Sequence, residues 1–209
     1  MIASAAPRVF LVDDDASVRK SLARLLKTAG YEAELFASVA DFLARAPYDG
    51  PCCLVLDVRM PGLTGLDLQE ALRAKGQRLS IVFITGYRDV PVSVKAMKAG
   101  AVDFLTKPVD AETLLAAIRQ AVARTLTDRR RQARVTEIQG RITTLTRREA
   151  AVFALVVTGM LNKQIGSELG IGEKTVKVHR ARVMEKMQAG SLAELVRLAD
   201  EGSVIAAGS

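Results

Sequence analysis

At 209 residues, with 49% hydrophobic and 25% charged residues, the chain has the composition of a globular protein with room for one large or two ordinary domains. No apolar run approaches the ~20 residues that span a bilayer, and the N-terminus lacks a charged segment leading into an apolar core, so a cytoplasmic location without membrane contact is expected. The net charge of +7 is uneven: residues 1–122 carry 15 Lys and Arg against 14 Asp and Glu, whereas residues 123–209 carry 15 against 9, so the second half is suited to a polyanion. The only cysteines, Cys52 and Cys53, are adjacent; neighbours in a strand point to opposite faces, so they read as buried small hydrophobes and not as a disulfide. A single histidine, His179, gives zinc clusters and Ser-His-Asp catalysis little support.

Residues 1–122 alternate strand-like and helix-like segments. Strands are predicted at 8–13, 31–36, 53–57, 80–84 and 102–105. Val18, Leu22, Leu25 and Leu26 recur at helical spacing before Gly30, and Leu66, Leu68 and Leu72 do so before Gly76; a further helix, 92–99, stops at Gly100. Asp15 directly precedes the first helix and reads as its N-cap. Alternation at these lengths predicts an α/β doubly wound, five-stranded parallel sheet with helices on both faces and a crevice at its switch point.

The chemistry gathers where the apolar runs end. Val9-Phe10-Leu11-Val12 leads to Asp13 and Asp14, and Leu54-Val55-Leu56 leads to Asp57, just before the Pro61-Gly62 break. Parallel neighbouring strands would bring these acids to one edge, where they repel one another unless a divalent cation joins them; oxygen-only ligation suits Mg²⁺. Ile81-Val82-Phe83-Ile84 ends in Thr85-Gly86, and Phe104-Leu105-Thr106 in Lys107-Pro108. A carboxylate nucleophile, an acid pair, a hydroxyl and an ammonium, each following a different strand, form a set suited to phosphoryl transfer.

This set resembles the receiver domain of two-component response regulators over about residues 6–122. The resemblance implies that Asp57 accepts a phosphoryl group from a phosphohistidine on a sensor histidine kinase, with Mg²⁺ as cofactor. It implies that Asp14, Asp57 and the backbone carbonyl of Arg59 ligate the metal, with Asp13 acting chiefly through water. It further implies that Thr85 binds a phosphoryl oxygen, that Lys107 pairs with the phosphate, that Phe104 occupies an aromatic switch position, and that the Lys107–Pro108 bond is cis. Taken by itself, Phe104 could equally be plain core. A rival reading, a phosphatase with a second acid two residues beyond the nucleophile, meets Arg59 there, which cannot act as a general acid, so the chain is expected not to be an enzyme.

Beyond Val122 the pattern changes. Leu115, Ile118 and Val122 keep helical spacing, Asp128-Arg129-Arg130-Arg131-Gln132 interrupts it, and Val135, Ile138, Ile142 and Leu145 resume it, as expected of one extended helix or two joining the domains, or equally of a solvated linker with one apolar stripe. Thr146-Arg147-Arg148-Glu149 fits a capping box that opens a helix carrying Val152, Leu155 and Val156. A short helix with Ile165 and Leu169, the break Gly170-Ile171-Gly172, a helix over 173–187 and another over 192–201 complete the layout of a four-helix, all-α helix-turn-helix domain.

Residues 145–199 resemble the LuxR-type helix-turn-helix, on Leu145-Thr146-Arg147-Arg148-Glu149, Asn162-Lys163-Gln164-Ile165 and Lys174-Thr175-Val176-Lys177-Val178-His179. The whole chain is therefore identified as resembling FixJ/NarL-type response regulators, which are transcription factors. The expected division is a receiver at 1–122, a helical linker at 123–142 and a DNA-binding domain at 143–209. Helical geometry puts Val176, His179, Val183 and Met187 on the packing side of the third helix and Lys174, Lys177, Val178, Ala181 and Arg182 on the side free to enter a major groove. Lys177 is a candidate for guanine edges and Val178 for a thymine methyl, with Lys163 and Thr175 better placed for phosphates. Gly172 stands at the N-cap where the family commonly has serine. RNA is the alternative polyanion, disfavoured in single-stranded form because Phe153 is this region's only aromatic. Phosphorylation is expected to promote a homodimer through the face around 90–105, placing two such domains on half-sites of promoter DNA.

Overall fold

The structure is a computed structural model that describes residues 7–77, 79–86 and 90–203. It divides into two compact units, residues 1–128 and 129–209. In the first, β1 (Arg8–Val12), β2 (Glu32–Phe36), β3 (Cys52–Asp57), β4 (Ile81–Thr85) and β5 (Asp103–Thr106) form one parallel sheet in the order β2-β1-β3-β4-β5. Interleaved with them are α1 (Ala16–Thr28), α2 (Val39–Ala44), α3 (Gly65–Ala74), α4 (Val90–Lys98) and the start of α5 (Ala111–Thr143).

Strand alternation explains the layers. Phe10, Leu54, Leu56 and Phe83 point to one face, where Phe42 of α2, Leu68 and Leu72 of α3 and Ala96 of α4 cover them. Val9, Leu11, Cys53, Val55, Val82 and Ile84 point to the other, against Leu26 of α1 and Leu114, Ile118 and Ala121 of α5. Both faces are buried, so the central strands are continuous apolar runs. Both cysteines are buried and neither is in a disulfide, and burial pushes the Cys53 thiol far up.

The expected fold is present, with shifts of a residue or so at strand ends. The six-residue α2 had no expectation, because so short a segment shows less than two turns of periodicity. Its Ser38 N-cap accepts from the Asp41 amide at 3.1 Å, and Phe42 enters a cluster of edge-on rings with Phe10 and Phe36. The segment after the fifth strand is one continuous 33-residue helix.

The second unit packs the end of α5 with α6 (Arg147–Val156), α7 (Asn162–Leu169), α8 (Glu173–Met187) and α9 (Leu192–Ser203). Ile138, Val152, Val156, Ile165, Val176, Val183, Met187, Leu195 and Leu198 make its core. Thr146 and Glu149 form the expected reciprocal cap, and buried Glu149 also takes the Lys186 ammonium at 2.6 Å, which tethers α8 to the start of α6. Lys186 further donates to the Thr144 carbonyl at 3.0 Å, and Arg141 of α5 to the Met187 carbonyl at 3.0 Å. Three helices therefore meet at one polar junction beside the apolar core.

Candidate functional site

The strand order puts β1 and β3 side by side at the switch point, with β2 and β4 diverging to either side. Register then fixes what meets. Val12 is level with Leu56, so Asp13 stands beside Asp57; Asp57 is level with Ile84, one residue short of Thr85; and Thr85 is level with Thr106, one short of Lys107. The Lys107 amide donates to the Thr85 carbonyl at 2.7 Å, which holds the fifth loop against the fourth strand. All four strand-end groups therefore share one edge.

Lys107 lies at the centre. Its ammonium donates to Oδ2 of Asp13 and Oδ2 of Asp57, both at 2.7 Å. Asp13 is fully buried, and its Oδ1 accepts from the Asp15 amide at 2.9 Å; Oδ1 of Asp57 accepts from the Arg59 amide at 3.2 Å. Burial pushes the Asp13 carboxyl up, against the hydrogen bonds from Lys107 and Asp15 that favour its charged form. Burial acts on Lys107 in the downward direction, but its bonds to Asp13 and Asp57 prevail and hold its pKa above the ordinary value. Asp14 is exposed, yet its carboxylate and those of Asp13 and Asp57 lie within 4.8 Å of one another.

The remaining predicted residues divide. Arg59 is exposed two positions beyond Asp57, and Thr85 is buried at the end of β4. Phe104 is half-buried and packs on Phe83, ring centroids 6.1 Å apart, as part of the core under the pocket and not of the acid cluster itself. The Lys107–Pro108 bond is cis. Asp15 is the N-cap of α1, accepting from the Ser17 and Val18 amides.

Two residues at this edge had no expectation. Gly65 opens α3 against the end of β3: a Cβ there would sit 2.3 Å from the Asp57 carbonyl oxygen, and its amide donates to the Val58 carbonyl at 3.1 Å. The signal was present as Thr64-Gly65-Leu66-Asp67, a capping box with glycine at its first helical position. Arg19 of α1 donates to the Asp13 carbonyl and so braces the acid loop from below; no spacing rule marks that reach.

In the second unit, Gly170 caps α7 in the left-handed conformation at φ 65°. A Cβ at Gly166 would meet the Ile171 carbonyl at 2.7 Å, so only glycine lets α7 and the turn into α8 approach this closely. α8 then sorts as its sequence predicts: Val176, Val183 and Met187 are fully buried, while Lys174, Thr175, Lys177, Val178, Ala181 and Arg182 are exposed. Lys163 is exposed near the start of α7. His179 is half-buried, its Nδ1 enclosed with no hydrogen-bond partner among the described residues. Arg180, which carried no expectation, donates to Asn162 Oδ1 at 3.1 Å and ties the start of α7 to α8.

Residues 9–119 match the family described as response regulator receiver domain, and residues 143–199 that of bacterial regulatory proteins, luxR family. The chain belongs to the two-component response regulators of the FixJ/NarL type. Nodulation protein W of Bradyrhizobium diazoefficiens is 46% identical over 192 residues, covering 92% of this chain and 85% of that protein. The transcriptional regulatory protein FixJ of Azorhizobium caulinodans is 45% identical over 192 residues, covering 91% of this chain and 90% of that one. Among solved structures, the response regulator StyR superposes with a TM-score of 0.82 at 46% identity, covering 94% of this chain and 100% of that chain. As a response regulator, the protein is a phosphorylation-controlled transcriptional regulator with a receiver and a LuxR-type DNA-binding domain. Among the described residues, no helix is long and apolar enough to cross a membrane.

Proposed function

We propose that Asp57 is the phosphoacceptor and that its phosphorylation by a sensor histidine kinase controls dimerisation and promoter binding in the cytoplasm. The observation that carries this reading is the Lys107 ammonium held between buried Asp13 and Asp57 at 2.7 Å from each. A carboxylate oxygen of Asp57 attacks phosphorus, the P–N bond to the kinase imidazole breaks, and the imidazole leaves with its proton. Lys107 stabilises the negative charge that gathers on the phosphoryl oxygens, and the Thr85 hydroxyl donates to one of them.

Three carboxylates against one ammonium leave the pocket two negative charges in excess, with oxygen donors only. That donor set fits Mg²⁺, held by Asp14, Asp57 and the Arg59 carbonyl, with Asp13 assisting through water. Bound there, the ion would neutralise charge on the incoming phosphoryl group. The chain's output is DNA occupancy, not turnover: Arg59 stands where a phosphatase of this chemistry needs a general acid.

Division of labour follows the same reading: residues 1–122 receive the phosphate, 143–209 bind DNA, and 123–142 connect them, the last turns of the connection also packing in the helical unit's core. On α4, Val90, Val94 and Met97 are 68%, 46% and 44% exposed at i, i+4 and i+7, which favours this helix with β5 as the face where phosphorylated copies meet. In the dimer, Lys174, Lys177, Val178 and Arg182 read the major groove while Lys163 and Thr175 hold phosphates.

The test is labelling by acetyl phosphate with Mg²⁺. Asp57→Asn should abolish it, because the amide is no nucleophile and one metal-ligand charge is gone. Label persisting at the wild-type level would show that another residue accepts the phosphate.

A further inference from the structure

On the exposed side of α8, the first residue is an acid. Glu173 belongs to the same stripe as Lys174, Lys177, Val178 and Ala181, spaced at i, i+1, i+4, i+5 and i+8, and every member is exposed. Its carboxylate lies 3.2 Å from the Lys177 ammonium, with the two side chains 50% and 63% exposed. An exposed pair of this kind adds little to stability. Facing a duplex, however, an unpaired carboxylate would cost affinity by cancelling one of the cations that release counterions from the phosphates. A carboxylate at the leading end of a helix suits the helix dipole, but it favours DNA binding only where it meets a hydrogen-bond donor on the DNA.

We propose that Glu173 is a specificity-determining residue, which accepts a hydrogen bond from a cytosine amino group next to the guanine contacted by Lys177. The proposal rests on the reading of α8 as the DNA-reading helix and deepens it. In the major groove only the exocyclic amino groups of cytosine and adenine are donors, and a carboxylate, which offers only acceptors, suits cytosine N4. The Lys177 ammonium has three donors, so it can keep its bond to Glu173 while donating to guanine O6 and N7. The pair then behaves as one reader. Glu173 holds the flexible lysine on the base side of the groove, and its charge offsets Lys177 on sequences that lack the matching amino group. Non-specific DNA is penalised more than the true site.

The experiment uses the full-length protein, phosphorylated with acetyl phosphate and Mg²⁺, and a randomised duplex library from which bound sites are selected and sequenced. Glu173→Gln keeps the side-chain shape, removes the charge, and offers the amide pattern that pairs with adenine. One position in each half-site should change from cytosine to adenine or lose its preference, and the ratio of specific to random affinity should fall by about 5- to 150-fold. Binding to random DNA should tighten, with a salt slope steeper by about one unit. A merely structural role at the helix N-terminus would alter stability and leave base preference untouched. If the selected sequences match those of the wild type and specific and random affinities rise together, Glu173 is not a reader. Lys177→Ala, carried in parallel, separates the two ideas: preference lost there but kept in Glu173→Gln overturns only the present proposal. A wild type that selects no sequence overturns both.

Discussion

Lys107 holds Asp13 and Asp57 together through two bonds of 2.7 Å, and on the proposed reading its ammonium is the group that meets a phosphoryl group on Asp57. Phosphorylation must draw this cation towards new oxygens, and only such differential contacts can shift a conformational equilibrium. Thr85→Ala and Lys107→Ala should therefore still be phosphorylated in part but should dimerise weakly when phosphorylated. Sedimentation of each variant with and without acetyl phosphate checks this, and normal phosphate-driven dimerisation in both would remove these residues from the switch. Gly65 works at the same scale without any chemistry of its own. A Cβ there would sit 2.3 Å from the Asp57 carbonyl oxygen, so its absence is what permits α3 to start this close to the end of β3 and shapes the loop that follows Asp57.

At the scale of elements, Glu149 joins α6 and α8. Hydrogen bonds from Lys186 and from the Thr146 amide lower its pKa from 4.5 to about 2. A depressed carboxyl contributes stability that is fully present above its unfolded pKa and lost as pH falls towards the folded value, since the unfolded chain binds the proton first. Glu149→Gln should thus be less stable than wild type near neutral pH, with a difference that shrinks between pH 4.5 and about 2. Urea titrations of the full chain across that range would read it, and a pH-independent difference would show that the carboxylate charge is not what binds these helices. On the proposed reading, α7 and α8 meet DNA in different ways. Lys163→Ala on α7 should weaken specific and random DNA similarly and lower the salt slope by about one unit, as a phosphate contact does. Lys177→Ala on α8 should cost ~1–3 kcal/mol on the specific site and less on random DNA. Titrations at several salt concentrations distinguish them; equal losses for Lys177→Ala would reduce it to an electrostatic anchor.

At the scale of the molecule, one helix serves two cores. The first part of α5 buries Leu114, Ile118 and Ala121 against the sheet, and Thr125 donates to the Cys52 carbonyl at 2.8 Å. Its last part places Ile138 fully inside the helical unit, with Val135 also buried. A fragment of residues 129–209 should therefore fold cooperatively, whereas one cut at 143 should not. The shorter piece loses buried aliphatic side chains, at about 2–5 kcal/mol for each of the size of Ile or Leu. Circular dichroism melts of the two fragments decide it: equal transitions would mean that the end of α5 is only a tether.

Much of this was legible in the sequence because the underlying signals are local. Apolar runs of strand length, glycines after helical periods and the Thr146-Glu149 cap each depend on residues a few positions apart, and they determined the alternating sheet, the helical second unit and the faces of α8. The sequence also placed Asp13, Asp57, Thr85 and Lys107 at strand ends, since a chemical group that follows an apolar run stands out. The tertiary structure alone decided what depends on register and long-range approach. Only the β2-β1-β3-β4-β5 order puts Asp13 beside Asp57, and only the folded chain brings Lys107 across 94 positions to Asp13 and 50 to Asp57. Arg19 on the Asp13 carbonyl, Arg180 on Asn162 and Lys186 on Glu149 are likewise matters of reach. Periodicity specifies which face a side chain occupies, whereas its partner is set by packing between segments that are distant in the chain.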